Sequence, residues 1–228
     1  MSWRDEWRRA RAIAWKDLTA ERRSKAVFNS VLALAVTILV LFGFALGPDT
    51  QALRDAAPGV VWLAALFAGV LAFNRSYQTE IEGGALDQLV LYPGSRRAIF
   101  AGKLMGNFAL VGTTLAIVVA LGVVLFQVDV PAQWPALVSI LVFGCVGLVT
   151  LGTLYAAMAS RSRVREVLLP LLLFPMLVPV LIAAIQATKS LLGGDLMHDA
   201  GAWARLLAAF DVIFVAASFL AFEIVIEV

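Results

Sequence analysis

Between Val27 and Leu46 the chain reads VFNSVLALAVTILVLFGFAL, with no Asp, Glu, Lys or Arg in the run. About 20 apolar residues in a row are enough to cross the hydrocarbon core of a bilayer as a helix. Five further apolar runs follow, at Pro58–Phe73, Phe100–Phe126, Ala136–Met158, Val167–Ala187 and Leu206–Phe222. None shows the polar/apolar alternation of a membrane barrel strand, so the reading is an all-α, polytopic membrane protein with six transmembrane helices. Composition agrees. Of 228 residues, 61% are hydrophobic and 15% charged, with a mean hydropathy of +0.90, whereas soluble domains average about 45–50% apolar and about 25% charged. Six spans leave only short connecting pieces. Residues 1–228 are therefore read as a single transmembrane domain with no separate soluble catalytic or receptor domain.

The distribution of positive charge sets the orientation. Fifteen of the eighteen Lys and Arg residues fall in residues 1–26, in the second-to-third loop with the foot of span three, and in the fourth-to-fifth loop. The other three loops hold only Arg54, Lys189 and Arg205. Cytoplasmic loops carry the Lys/Arg excess, so both termini are expected in the cytoplasm, which an even number of crossings requires. Residues 1–26 are expected to form a cytoplasmic amphipathic segment rather than a cleaved leader. Trp3, Trp7, Ala10, Ala14 and Leu18 recur at helical steps among arginines, the pattern of a helix lying in the membrane interface against lipid headgroups. The outer loops, about 11, 8 and 18 residues at Gly47–Ala57, Gln127–Trp134 and Thr188–Arg205, are too short for a capture domain.

Several functions are excluded by what is missing. A single cysteine forms no internal disulfide, and one histidine beside it gives no metal site built from several such ligands. A net charge of +2 makes nucleic acid a poor partner. The chain lacks a Gly-x-x-x-x-Gly-Lys-[Ser/Thr] phosphate loop; Gly102-Lys103-Leu104 has neither the upstream glycine nor the hydroxyl. Gly-x-Ser-x-Gly and His-Glu-x-x-His are missing too, so no catalytic residue is assigned.

Three patterns carry mechanism. The cytoplasmic loop, residues 74–99, contains YQTEIEGGALDQLVLYPG from Tyr77 to Gly94. Gly83–Gly84 ends the helix descending from span two, Asp87 sits in the first turn of a short new helix, and Pro93 stops it. Leu86 and Leu89 give that helix an apolar ridge, and Glu80, Glu82 and Asp87 are acidic in a basic surrounding. An acidic, ridged helix suits docking to a protein; anionic lipid would repel it. In span three Gly102, Gly106, Ala109, Thr113, Ala116 and Ala120 form a small-residue seam for close helix packing, its partner open. In span five Pro170, Pro175 and Pro179 predict a helix kinked or broken, as a fixed bend or as a hinge. Asp211 is placed near the outer end of span six, where it reaches the interface; a carboxylate deeper in would need a partner.

Ala57–Leu66 (APGVVWLAAL), Gly84–Leu89 (GALDQL) with the Pro93 stop, and Leu168-Leu169-Pro170 through Pro175 and Pro179 together resemble the CcmB family, the haem exporter protein B of the bacterial cytochrome c maturation pathway. The resemblance covers nearly the whole chain. It implies a permease-type subunit of an ATP-binding-cassette complex in the cell inner membrane, working with a CcmA-like ATPase, CcmC-like and CcmD-like membrane subunits and, indirectly, a CcmE-like haem chaperone. Glu80, Glu82, Gly84, Leu86, Asp87, Gln88 and Leu89 then look like the coupling segment seated on the ATPase. ATP enters only through that partner, and haem is the ligand handled. His198 is the candidate haem ligand, although a lone loop histidine is usually just solvated. An export permease for a lipid, drug or polysaccharide is the alternative of similar topology.

Overall fold

The computed structural model describes residues 3–82, 96–130, 132–160, 164–194 and 199–227. They form seven helices: α1 Trp3–Ser24, α2 Ala26–Ala45, α3 Thr50–Glu82, α4 Arg96–Leu125, α5 Trp134–Ser160, α6 Arg165–Leu192 and α7 Asp199–Glu227. All but α1 are long and apolar enough to cross a membrane. No strand occurs among the described residues.

The helices outrun the apolar runs that announced them, which shortens the expected outer loops. The stretch Gly47–Ala57 is helical from Thr50, because the Asp49 carboxylate caps the new helix, accepting from the Gln51 and Ala52 N–H groups at 3.0 and 3.1 Å. Pro58 is carried inside α3. The stretch Thr188–Arg205 is likewise mostly helix, since α6 runs to Leu192 and α7 begins at Asp199. Charged residues such as Arg54, Asp55 and Arg205 end a hydropathy run without ending a helix, because a helix can continue beyond the apolar slab into the headgroup region. The α6 prolines do not break it: Pro170, Pro175 and Pro179 lie within one helix. The buried stripe of α6 runs through Leu169, Leu173, Leu177, Val180 and Ala184, and the prolines stand off it.

Two spans form the centre. In their most apolar windows α3 is 72% and α5 61% buried, against 33% or less for the other four spans, whose outer faces are exposed. The centre closes this tightly because α5 reads Gly144-Cys-Val-Gly147-Leu-Val-Thr-Leu-Gly152. A side chain at Gly144 would overlap the ring of Trp62 from α3, and one at Gly152 the ring of Phe73. Trp62 passes over Gly144 and donates from Nε1 to the Thr188 hydroxyl of α6 at 3.1 Å. In lipid, where burying apolar surface between helices gains little, such close approach and interhelical hydrogen bonds hold the bundle. Asn107 of α4 adds another, donating to Thr153 Oγ1 of α5 at 2.9 Å.

The joint between α1 and α2 is a single residue. Lys25 adopts the left-handed conformation at φ 54° and donates to the Glu21 carbonyl at 2.6 Å, ending α1. The Glu21 carboxylate meanwhile accepts from the Phe28 N–H at 2.7 Å, capping α2. This turn folds α1 back onto the foot of the bundle.

Candidate functional site

Lys103, in the second turn of α4, is buried at 1% exposure. Its ammonium donates to Asp17 Oδ2 of α1 at 2.9 Å and to the Ser76 carbonyl of α3 at 3.1 Å, and stands 5.4 Å from the centre of the Tyr77 ring. A buried ammonium is tolerable only when its charge and its protons are met, and here a carboxylate, a carbonyl and a π face do so. One lysine thus ties three helices together. The Ser76 carbonyl also gains a partner beyond the helix's own ladder. Phe100, one turn before Lys103, packs edge-on to Phe219 of α7 at 5.0 Å and against Phe222 at 4.9 Å, so the same end of α4 is also anchored to α7.

The seam expected on span three divides at this cluster. Gly102 and Gly106 seat α1: a Cβ at Gly102 would stand 2.7 Å from the Ala10 carbonyl and from Ile13 Cβ, and one at Gly106 3.7 Å from Asp17 Cβ. Ala109 is half-buried, while Thr113, Ala116 and Ala120 are exposed. The occupant of the glycine pair is therefore the basic N-terminal helix rather than another span. Within α1 the face expected against lipid splits accordingly. Ala10 and Ala14, with Ile13, are buried, and Trp3, Trp7 and Trp15 stay exposed at 78%, 48% and 69%.

The cluster stands just inside the loop singled out for docking. Glu80 and Glu82 belong to the last turn of α3, which ends at Glu82, and α4 starts at Arg96. Gly84, Leu86, Asp87, Gln88 and Leu89 lie outside the described residues, as does His198. Lys103 was not legible as a site residue. In the sequence it is one more basic residue at a span foot, and only the fold brings Asp17 to it.

Asp211, expected to reach the interface, has its side chain buried inside the bundle. Because α7 begins at Asp199, Asp211 lies twelve residues along it, about 18 Å at the helical rise. The carboxyl group is 5% exposed, neither oxygen has a hydrogen-bond partner among the described residues, and Oδ1 fills the space a Gly147 side chain would take, 2.7 Å from that Cβ position. Since no hydrogen bond is lost on its replacement, Asp211→Asn is expected to change stability by less than about 1 kcal/mol. Thermal unfolding in detergent checks this; a markedly lower midpoint would mean the carboxylate holds a partner.

A bundle of six helices long and apolar enough to cross a membrane defines a multi-pass, all-α membrane protein. The chain belongs to the CcmB family: the family model described as "CcmB protein" matches residues 8–228. Among its relatives is the protein named heme exporter protein B of Rhodobacter capsulatus, 33% identical over 78% of this chain and 82% of its own. Its namesake in Haemophilus influenzae is 31% identical over 78% and 80%. The one in Pseudomonas aeruginosa is 31% identical over 76% and 77%.

Proposed function

We propose that this chain is the membrane subunit of an ATP-driven complex of cytochrome c maturation, with haem as the cargo handled. The relatives' name, heme exporter protein B, supports the cargo. In this reading a CcmA-like ATPase binds and hydrolyses ATP at the cytoplasmic face. CcmC-like and CcmD-like subunits complete the assembly in the inner membrane, and a CcmE-like chaperone receives the haem. Both termini lie in the cytoplasm, following the bias of Lys and Arg toward residues 1–26 and the α3–α4 and α5–α6 loops.

The observation that carries the mechanical part is the Lys103 tie. A partner gripping Leu86, Asp87, Gln88 and Leu89, with Glu80, Glu82 and Gly84 before them in the chain, pushes on the feet of α3 and α4 together. Asp17 and Ser76 are fastened to the same ammonium, so α1, α3 and α4 respond as one body rather than as three independent helices. The Gly102–Gly106 pair keeps α1 seated on α4, and Pro170, Pro175 and Pro179 are the hinge at which α6 yields. The outer stretch of the seam, Ala109, Thr113, Ala116 and Ala120, is left for a neighbouring helix.

The cargo can be driven in two ways: haem crosses beside this chain, or ATP energy releases a haem-loaded chaperone from a neighbouring subunit. Haem bound one to one by the isolated chain favours the first. The reading as a whole is tested by deleting the chain and staining for covalently bound haem, with a hydrolysis-dead ATPase partner as control. Both strains are expected to lose c-type cytochromes. Normal staining in the deletion strain contradicts the reading.

A further inference from the structure

Asp211 does not stand alone inside the bundle. Thr150 of α5 and Ser218 of α7 are 0% and 1% exposed, and their hydroxyls likewise have no hydrogen-bond partner among the described residues. A hydroxyl within a helix can bond back to the carbonyl four residues earlier, as Thr113, Thr114 and Thr188 do here at 2.6, 2.9 and 2.7 Å. Thr150 and Ser218 do not, so their oxygens are left for another group. The three residues stand along one helix pair. α5 and α7 run parallel: Ile140 and Ala200 pack in one cluster, and Gly147 meets Asp211 further along both helices. From that level Thr150 is three residues on in α5 and Ser218 seven residues on in α7, about 4.5 and 10.5 Å at the helical rise. Seven residues make two turns, so Ser218 lies on the same face of α7 as Asp211.

No cation of the described residues is bonded to Asp211. α7 packs on α4, α5 and α6. At the carboxyl group α5 presents Gly147 and α6 presents Val180, and the nearby titratable group, the Cys145 thiol of α5, is no counter-ion. Lys103 of α4 is bonded to Asp17. Lys189 of α6 and Arg205 of α7 are exposed toward the outer ends of their helices. A carboxylate within the hydrocarbon region is costly unless a counter-charge meets it, so the counter-charge has to come from solution. We propose that the α5–α7 interface binds a small monovalent cation, a proton or an alkali-metal ion, at the Asp211 carboxyl group. The Thr150 hydroxyl is a neutral oxygen of the same site, and Ser218 continues the polar line along α7. An all-oxygen set suits a hard cation. The site does not depend on the cargo or on the ATPase.

The test uses the full chain in bilayers, in buffer whose only salt is a choline salt. The infrared difference between wild type and Asp211→Asn isolates this one carboxyl group. A carboxylic-acid band, lost in the variant and shifted in deuterium oxide, establishes the site with a proton as occupant. Carboxylate bands that shift when sodium or potassium is added establish it with a metal ion. In that case the wild-type unfolding midpoint also rises with the added salt while that of Asp211→Asn stays put, because a ligand stabilises only the chain that binds it; without the salt the two unfold together. Thr150→Val removes the hydroxyl and keeps the carboxyl group, and it should move whichever band is found. Its comparison with wild type stands even if Asp211→Asn inserts poorly. The proposal is overturned by carboxylate bands indifferent to both salts, by an acid band that deuterium oxide leaves unmoved, or by bands unchanged in Thr150→Val.

Discussion

Gly144→Ala is expected to destabilise the bundle by about 3 kcal/mol or more, near the top of the range for overpacked cores. The added methyl would overlap the ring of Trp62, which is 1% exposed and has no lipid side to retreat into. Moving that ring also withdraws its donor from Thr188, leaving a buried indole N–H unmet at a further cost of about 1–3 kcal/mol. A chain of this size loses about 2–4 °C of unfolding midpoint per kcal/mol, so the variant should unfold well below the wild type. Gly152→Ala meets the Phe73 ring in the same way. The control is Gly59→Ala in α3, the helix that carries Trp62, where nothing lies within 4 Å of the added methyl; it should be neutral or slightly stabilising, as Ala is the better helix former. If Gly144→Ala unfolded with Gly59→Ala, the close passage of Trp62 over α5 would be wrong.

The second large effect is expected at the other end of the bundle. Asp17→Asn removes the carboxylate that accepts from Lys103 at 2.9 Å, an ammonium at 1% exposure. Stranding one member of a buried ion pair typically destabilises by about 3–5 kcal/mol; because the Asp17 side chain is 24% exposed, the lower part of that range applies. The structure can relieve the stranded charge locally by lifting α1 off Gly102 and Gly106. The expected signature is therefore faster tryptic cleavage at Arg22 and Arg23, with the six spans still inserted. Adding Lys103→Met should restore much of the protection, because a neutral side chain of similar length then fills the site. Equal cleavage of Asp17→Asn and wild type would show that the ammonium does not hold α1 down.

These two effects mark the boundary of what the sequence revealed. The spans were legible because bilayer thickness imposes a length on any apolar run, and all six were recognised. Helix ends were not, since Asp49 caps α3 well before its apolar residues begin and α7 starts among charged ones. The Gly102–Gly106 pair announced close packing, but its occupant was hidden. Ala10 and Ala14 have the same spacing whether they face lipid or protein, and the glycine pair decides between them. The α5 glycines went unremarked because a run rich in small residues offers many accidental seams, and only the ring of Trp62 shows which one is used. Lys103 and Asp17 are 86 residues apart, and no local pattern links them. The burial of Asp211 was not legible, because Gly147, whose side-chain space it fills, stands on another helix.

We propose a lever without catalysis of its own, worked by a separate ATPase through the segment between α3 and α4. It is tested most directly by co-purifying the CcmA-like ATPase with the tagged full chain, wild type against Leu86→Asp/Leu89→Asp. Loss of the ATPase from the double variant, with the membrane subunit inserted at normal level, is the predicted result. The ATPase retained at full yield by the double variant would contradict the account.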